Sequence, residues 1–320
     1  MITIADYQPQ PTIDQELATL AYTAVQGWPD QRPITPALVA SRLQPAGHAP
    51  PTVIAITRSP NGTLIGAAAL RWPAYPTTPG RLWGPVIHPH HQHQHHGHAH
   101  RLLKALTERL AARPVWLTTA EIPTTRHAAI RLYTRAGWQP AGTATLLKAD
   151  LQQPPPPAPQ PLKGLRLTTV AALDSHNEPW LHTAIADLLT TTSQVGPAGA
   201  DDTLHLWQAD HRYHPDCLIL AIDHTQLVGV ALTYLLAHTH PTEPTEALLG
   251  DLHIAHHLHS HLIRQHLLHS TLTTARRHHA TVARAVVPQH PDLLAAHQDA
   301  GFYPAATLRY LACNGPARGL

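Results

Sequence analysis

Gln94-His95-His96-Gly97-His98-Ala99 stands between an apolar segment ending Val86-Ile87-His88-Pro89 and a stretch that begins His100-Arg101-Leu102-Leu103. A strand that turns through a glycine into a helix leaves several backbone N–H groups without an intrahelical acceptor, and the helix dipole adds positive potential at the same place. Such a turn suits a pyrophosphate. Gly97 lets the backbone come close to an anion, and Ala99 is too small to obstruct it. The same loop is crowded with His88, His90, His91, His93, His95, His96, His98 and His100. Imidazole is the commonest metal ligand, so a zinc or nickel site is a second chemistry to weigh. A polyhistidine run lacks partners that would orient its rings, and the chain holds 29 His beside 32 Pro but one Met and one Phe, a skew that codon bias can produce without selection for histidine chemistry. No resident metal is therefore expected.

The elements that must present this turn can be read from the periodicity. In the first half a strand (2–5) precedes helical segments near 13–24 and 36–43, and Asn61-Gly62 separates strands over 52–58 and 63–72. A third strand covers 81–88. The helix opening near Gly97 places Ala99, Leu102, Leu103, Leu106 and Leu110 on one face. A strand over 115–120 and a helix over 124–136 follow, the latter stopped by Gly137, and a strand over 143–149 closes the half. Strands with helices on both faces make an α/β sandwich.

Some 30 residues beyond the glycine turn comes Ala129-Ile130-Arg131-Leu132-Tyr133-Thr134-Arg135-Ala136-Gly137-Trp138. Together, in this order, the two stretches resemble the GCN5-related N-acetyltransferase (GNAT) superfamily, whose acyl-CoA motif is Gln/Arg-x-x-Gly-x-Gly/Ala after a strand end and whose next motif is A-x-x-L-Y-x-x-x-G-F/W. The turn from Pro89 to Gly97 is longer than the family's, so either Gln92 or Gln94 takes the place of its glutamine. The resemblance implies that Ile87, His88, Gln94, His95, His96, Gly97, His98 and Ala99 bind the pantetheine and pyrophosphate of acetyl-CoA. It also implies that Tyr133 lies near the sulfur and can protonate the leaving thiolate; the plainer reading is a packed ring with a satisfied hydroxyl. An attacking amine must shed a proton, and Glu121 or His88 could take it, although each also reads as a surface or capping residue.

The proline-rich run from Leu151 to Pro161 continues neither a helix nor a central strand and reads as a stiff spacer. On its two sides the chain repeats. Gly137-Trp138-Gln139-Pro140-Ala141 matches Gly301-Phe302-Tyr303-Pro304-Ala305, and Leu82-Trp83-Gly84-Pro85-Val86 matches Leu248-Leu249-Gly250-Asp251-Leu252, at nearly constant separation. The second copy has lost the glutamine and glycine of the phosphate turn, carries Leu262 and Ile263 where small residues belong, and has His297 in place of Tyr133.

The expected architecture is α/β, two GNAT-like mixed-sheet domains in tandem: a catalytic domain over 1–150, a linker over 151–163 and a degenerate domain over 164–320. With 43% hydrophobic and 13% charged residues, the 320-residue chain can build packed cores, and a net charge of +2 with no basic block leaves no footprint for nucleic acid or a membrane surface. Cys217 and Cys313 form no CxxC pair and read as buried thiols of a cytoplasmic protein. The expected activity is transfer of an acetyl group from acetyl-CoA to a small-molecule amine, possible as a homodimer. The competing reading is a non-catalytic CoA-binding or His-rich metal-binding protein.

Overall fold

The computed structural model describes residues 2–26, 34–45, 49–73, 79–92, 97–112, 117–173, 178–192, 197–236, 245–256 and 259–313. In chain order the elements of the first half are β1 (Ile2–Asp6), α1 (Pro11–Ala24), α2 (Pro36–Leu43), β2 (Val53–Arg58), β3 (Leu64–Arg71), β4 (Gly80–Ile87), α3 (Pro89–Gln92), α4 (His98–Ala111), β5 (Thr118–Pro123), α5 (His127–Arg135) and β6 (Gln139–Asp150). The second half holds β7 (Leu165–Thr169), α6 (Glu178–Thr192), α7 (Pro197–Ala209), β8 (Leu218–Asp223), β9 (Gln226–Leu236), β10 (Thr245–Ile254), α8 (Ser260–Arg277), β11 (Ala280–Pro288), α9 (Pro291–Asp299) and β12 (Tyr303–Cys313). The strand expected over 115–120 lies three residues later, so Glu121 sits inside β5 rather than at its end.

The chain folds into two compact units, Met1–Thr143 with Ala306–Leu320, and Ala144–Ala305. In the first unit β1, β2, β3 and β4 pair antiparallel in sequence order, β4 pairs parallel with β5, and β12 pairs antiparallel with β5. The second unit repeats this order with β7, β8, β9, β10 and β11, and its last partner is β6, which runs antiparallel to β11. Each unit thus takes its sixth strand from the other half of the sequence. The strand expected over 143–149 does form, but it closes the second unit, and the limits 1–150 and 164–320 do not coincide with the folded units. Two near-copies of one motif offer nearly equivalent edges to either strand, so local pattern does not decide the pairing.

Two layers of side chains cover the first unit's sheet. Leu102, Leu103, Leu106 and Leu110 of α4, with Tyr133 and Trp138, pack on Ala68, Leu70, Leu82, Ala120 and Ile122. On the opposite face Leu17, Leu20, Val39 and Leu43 of α1 and α2 pack on Ile54, Ala67 and Ala69, with Trp83 and Val86 at the margin. From Ala67 to Leu70 the residues of β3 alternate between the two layers, as a sheet buried on both faces requires. Trp72 belongs to the α4-side core, whereas Trp28 and Tyr75, also considered for the acceptor pocket, lie outside the described residues.

In the second unit the proline-rich run is part of the packing. Leu151 is buried, Pro156 lies against Gly301, and His266 of α8 bonds through Nε2 to the carbonyl of Gln160 at 2.9 Å. The duplication is visible at atomic detail in the ends of α5 and α9. Gly137 and Gly301 both adopt left-handed φ, of 90° and 97°. Trp138 N–H returns to Tyr133 O and Gly137 N–H to Thr134 O, and the bonds from Phe302 to His297 and from Gly301 to Gln298 repeat the pattern. These are paired Schellman caps, each with an aromatic residue packed back on the helix.

Candidate active site

The parallel ladder between β4 and β5 lasts for two pairs, Gly80 with Thr118 and Arg81 with Thr119. Beyond Arg81 no strand pairs with that edge of β4 among the described residues. At the point of divergence β4 bulges: Trp83 stands opposite Ala69 and Val86 opposite Ala67, leaving Gly84 and Pro85 against the single residue between. Gly84 has φ +81°, and a Cβ there would lie 2.9 Å from the carbonyl oxygen of Ala67. Both facts restrict the position to glycine.

Tyr133 fills this opening from the α5 side. Its ring is buried edge to face against Trp138, 5.0 Å between centroids, and its hydroxyl donates to the carbonyl of Gly84. Burial pushes the phenol far above its ordinary value, so the hydroxyl keeps its proton and acts as a donor at any physiological pH. The packed and the chemical readings of Tyr133 are both served: the ring is core, and its one polar atom lies on the bulge.

Glu121 faces the other way. Ala120 and Ile122 belong to the α4-side core, so strand alternation directs Glu121 to the α1/α2 face. There it pairs with Arg81 of β4, and Tyr310, its register partner on β12, hydrogen-bonds to it. Burial and the adjacent Glu121 charge push the Tyr310 phenol up to about 12. Tyr310 serves the carboxylate as a hydrogen-bond donor. Neither the pairing partner nor the strand that supplies Tyr310 could be found from the local motif.

Ile87 is buried at the end of β4 with its side chain in the core. His88 is already committed by its backbone, the amide donating to Ile65 O at 2.9 Å and the carbonyl accepting from His91. Its ring is half-buried, with Nδ1 unpartnered among the described residues. Burial and the neighbouring His90 and His91 rings hold this imidazole below the usual histidine range, leaving it neutral near pH 7. Gln94, His95 and His96 lie outside the described residues.

Gly97 is the N-cap of α4 in a left-handed conformation, φ 58°, and the first bond of the helix runs from Arg101 N–H to Gly97 O at 2.9 Å. Among the described residues nothing lies within 4 Å of where a Cβ on Gly97 would stand. The amides of the first turn, those of His98 and Ala99 included, have no intrahelical acceptor and form a helix N-terminus. Such a terminus accepts a phosphate oxygen.

The second unit departs from this at each point. There β10 and β11 stay paired through Leu249 and Ala285, and Ala285 stands where Glu121 is in the first unit. Gly250, at the place of Gly84, is covered by the Tyr234 ring, 2.6 Å from where a Cβ would stand. Trp207 donates from Nε1 to Asp251 beside it, at 2.7 Å. The N-cap of α8 is His259 with ordinary negative φ rather than a left-handed glycine. Ile263 does not obstruct a phosphate as its size led one to expect: it points inward and is fully buried in the core. His297 takes the place of Tyr133, buried, with Nδ1 donating to Leu293 O at 2.7 Å, and desolvation lowers its affinity for a proton.

Residues 17–138 match the model of the acetyltransferase (GNAT) family. A search of curated protein sequences finds no match. Among solved structures the chain is similar to a GCN5-related N-acetyltransferase from Sphaerobacter thermophilus, with TM-score 0.73 at 16% identity over 100% of this chain and 98% of that one. It is also similar to a tandem GNAT protein from the clavulanic acid biosynthesis pathway, with TM-score 0.68 at 17% identity, covering 99% and 100% of the two chains. The glucosamine N-acetyltransferase region of a fungal multi-domain GH3 β-N-acetylglucosaminidase superposes with TM-score 0.70 at 13% identity over 98% of this chain and 38% of that one. These identities speak for the fold, and the matched family model speaks for the first unit's motifs. Residues 17–138 thus match the acetyltransferase (GNAT) family, and the fold of the whole chain is similar to that of a tandem GNAT protein.

Proposed function

We propose that the first unit transfers an acetyl group from acetyl-CoA to the amine of a small molecule by direct attack. The observation that carries this reading is the early end of the β4–β5 ladder at Arg81, with the Tyr133 hydroxyl held on the bulge at Gly84. Acyl-CoA-dependent transfer is the general chemistry of the family. Here the unpaired edge of β4 would accept the pantetheine as a strand-like neighbour, and the α4 terminus at Gly97 would hold the pyrophosphate. The thioester would then lie at the bulge between Tyr133 and Glu121.

The reaction balances without a further reagent. The amine nitrogen bonds to the acetyl carbon, the carbon–sulfur bond breaks, and the nitrogen's proton passes to Glu121, directly or through water. Tyr133 gives its hydroxyl proton to the sulfur as the carbon–sulfur bond breaks, and the proton taken up by Glu121 is released to solvent, from which the tyrosine is reprotonated. Glu121 and Tyr133 serve opposite faces of the sheet, so acceptor and CoA approach from different sides. A small amine as acceptor is supported by the glucosamine acetyltransferase region among the structural relatives. Within this reading the second unit keeps the fold without the acyl-CoA site, because Tyr234 and Trp207 pack where the opening would be.

The test is release of free thiol from acetyl-CoA by the full chain against a panel of amines, amino sugars and aminoglycoside-type polyamines included. Transfer to at least one amine, lost in Gly97→Glu, is expected. A chain that binds CoA but neither hydrolyses nor transfers with any amine would instead be a non-catalytic CoA-binding protein.

A further inference from the structure

The second unit holds a cluster of ligating side chains that acyl transfer does not use. His214 and Cys217 bracket the short turn Pro215–Cys217 that leads into β8, and His278 caps the C-terminus of α8. One ligand atom from each of the three side chains lies within 4.8 Å of the other two. The two imidazoles meet edge to face, 4.7 Å between centroids. Asp216 sets a carboxylate oxygen 3.6 Å from a nitrogen of each ring.

The backbone supports this arrangement from both sides. Cys217 N–H bonds to His214 O at 2.8 Å, which closes the His-Pro-Asp-Cys turn on itself; without metal the Asp216 amide donates to His214 Nδ1 at 3.2 Å, a bond that uses the neutral ring's one lone pair and that metal binding must displace. On the other side the last turn of α8 fixes His278 through its amide bond to Thr274 O. The thiol of Cys217 is buried, whereas His214, Asp216 and His278 are 44%, 44% and 27% exposed, so an ion has a path from solvent to a partly enclosed position.

We propose that His214, Cys217 and His278 bind one zinc-type divalent ion, with the Asp216 carboxylate as fourth ligand. Zinc–nitrogen bonds of about 2.0 Å and a zinc–sulfur bond of about 2.3 Å set tetrahedral ligand separations of roughly 3.3 to 3.8 Å, so the cluster has to contract by about 1 Å. A mixed thiolate, imidazole and carboxylate set favours zinc over magnesium or calcium, which take oxygen ligands. On binding, the Cys217 thiol gives up its proton to form the thiolate–metal bond. The ion ties the lead-in of β8 to the C-terminus of α8, about 27 Å along the helix from its N-terminus at Ser260. Its role is structural, since four protein ligands leave no open position.

The histidine-rich loops would also collect metal, but they contain no thiol, and Cys313 is the one other cysteine. Cobalt(II) titrated into the full chain distinguishes them. One equivalent is expected to produce a thiolate-to-cobalt charge-transfer band with strong tetrahedral d–d absorption, both abolished by stoichiometric zinc. The band should persist in Cys313→Ser and vanish in Cys217→Ser. His214→Ala and His278→Ala, at partly exposed positions, should each weaken zinc binding at least about 100-fold, beyond the usual cost of losing an outer partner, and they decide the matter should Cys217→Ser not fold. Absence of the band in the wild-type chain overturns the site. So does an unchanged band in folded His214→Ala and His278→Ala variants.

Discussion

Tyr133 and His297 occupy equivalent positions and separate the two units at the scale of single residues. Each is the residue to which the aromatic after the cap glycine bonds and packs, so both are required by the helix end whatever their chemistry. Only the tyrosine hydroxyl reaches a bulged strand at an open ladder. Tyr133→Phe keeps the ring and removes one hydrogen bond, which should cost about 1 kcal/mol of stability. It should lower turnover roughly 10- to 1000-fold with little change in acetyl-CoA affinity. Wild-type turnover in a variant whose thermal midpoint is preserved would leave Tyr133 a packing residue. His297 makes a different prediction. Its folded-state proton affinity is lowered by desolvation, so below the ordinary histidine pKa the unfolded chain takes up a proton that the folded chain refuses. The stability held above about pH 6.5 is therefore lost as pH falls toward the depressed value. Thermal midpoints from pH 7 down to pH 5 should decline less steeply in His297→Phe than in the wild type, and equal slopes would show that this ring is not a titrating group.

Among the elements, α4 combines two independent requirements. Its buried leucines at 102, 103, 106 and 110 fix it against the sheet, and its left-handed N-cap at Gly97 sets where the first-turn amides point. The space that the described residues leave around a Cβ at Gly97 separates folding from binding. Gly97→Ala should fold at a cost of about 1–2 kcal/mol for the left-handed backbone and still bind acetyl-CoA. Gly97→Glu should fold comparably but bind acetyl-CoA far more weakly in calorimetry, because a carboxylate then competes with the pyrophosphate. Unchanged affinity in folded Gly97→Glu would move the phosphate site off this helix. Strand β4 carries the complementary constraint: at Gly84 a side chain would meet the backbone of β3, so Gly84→Ala should be destabilising by roughly 1–3 kcal/mol even with no ligand present.

For the whole molecule, duplication has kept the framework and let the sites diverge. Both units have the same strand order, the same bulge beyond the end of the parallel ladder and the same capped helix after it. Only the first has the open ladder at Arg81, the glycine N-cap and the tyrosine. Calorimetry with acetyl-CoA should accordingly give one equivalent per chain, and two equal sites would show that the Tyr234 and Trp207 packing in the second unit yields to the ligand.

The repeat, the glycine turn, the amphipathic helix after it and the order of strands were legible in the sequence because each rests on local pattern: apolar spacing, a cap glycine, a turn dipeptide. The glycine turn singled out Gly97, the place at a strand end singled out Glu121, and the resemblance to the GNAT motifs singled out Tyr133. Tertiary structure decided what depends on distant partners. Strands β6 and β12 have adequate patterns for either unit, and only the folded chain assigns each to the other half's sheet. Glu121 read as the end of a strand over 115–120, whereas its place inside β5 and its pairing with Arg81 and Tyr310 arise from strands 40 and 189 positions away in sequence. Cys217 read only as a buried thiol, and His214 and His278 did not stand out among 29 histidines, because no spacing rule joins a turn before β8 to the end of α8. Packing brings them together.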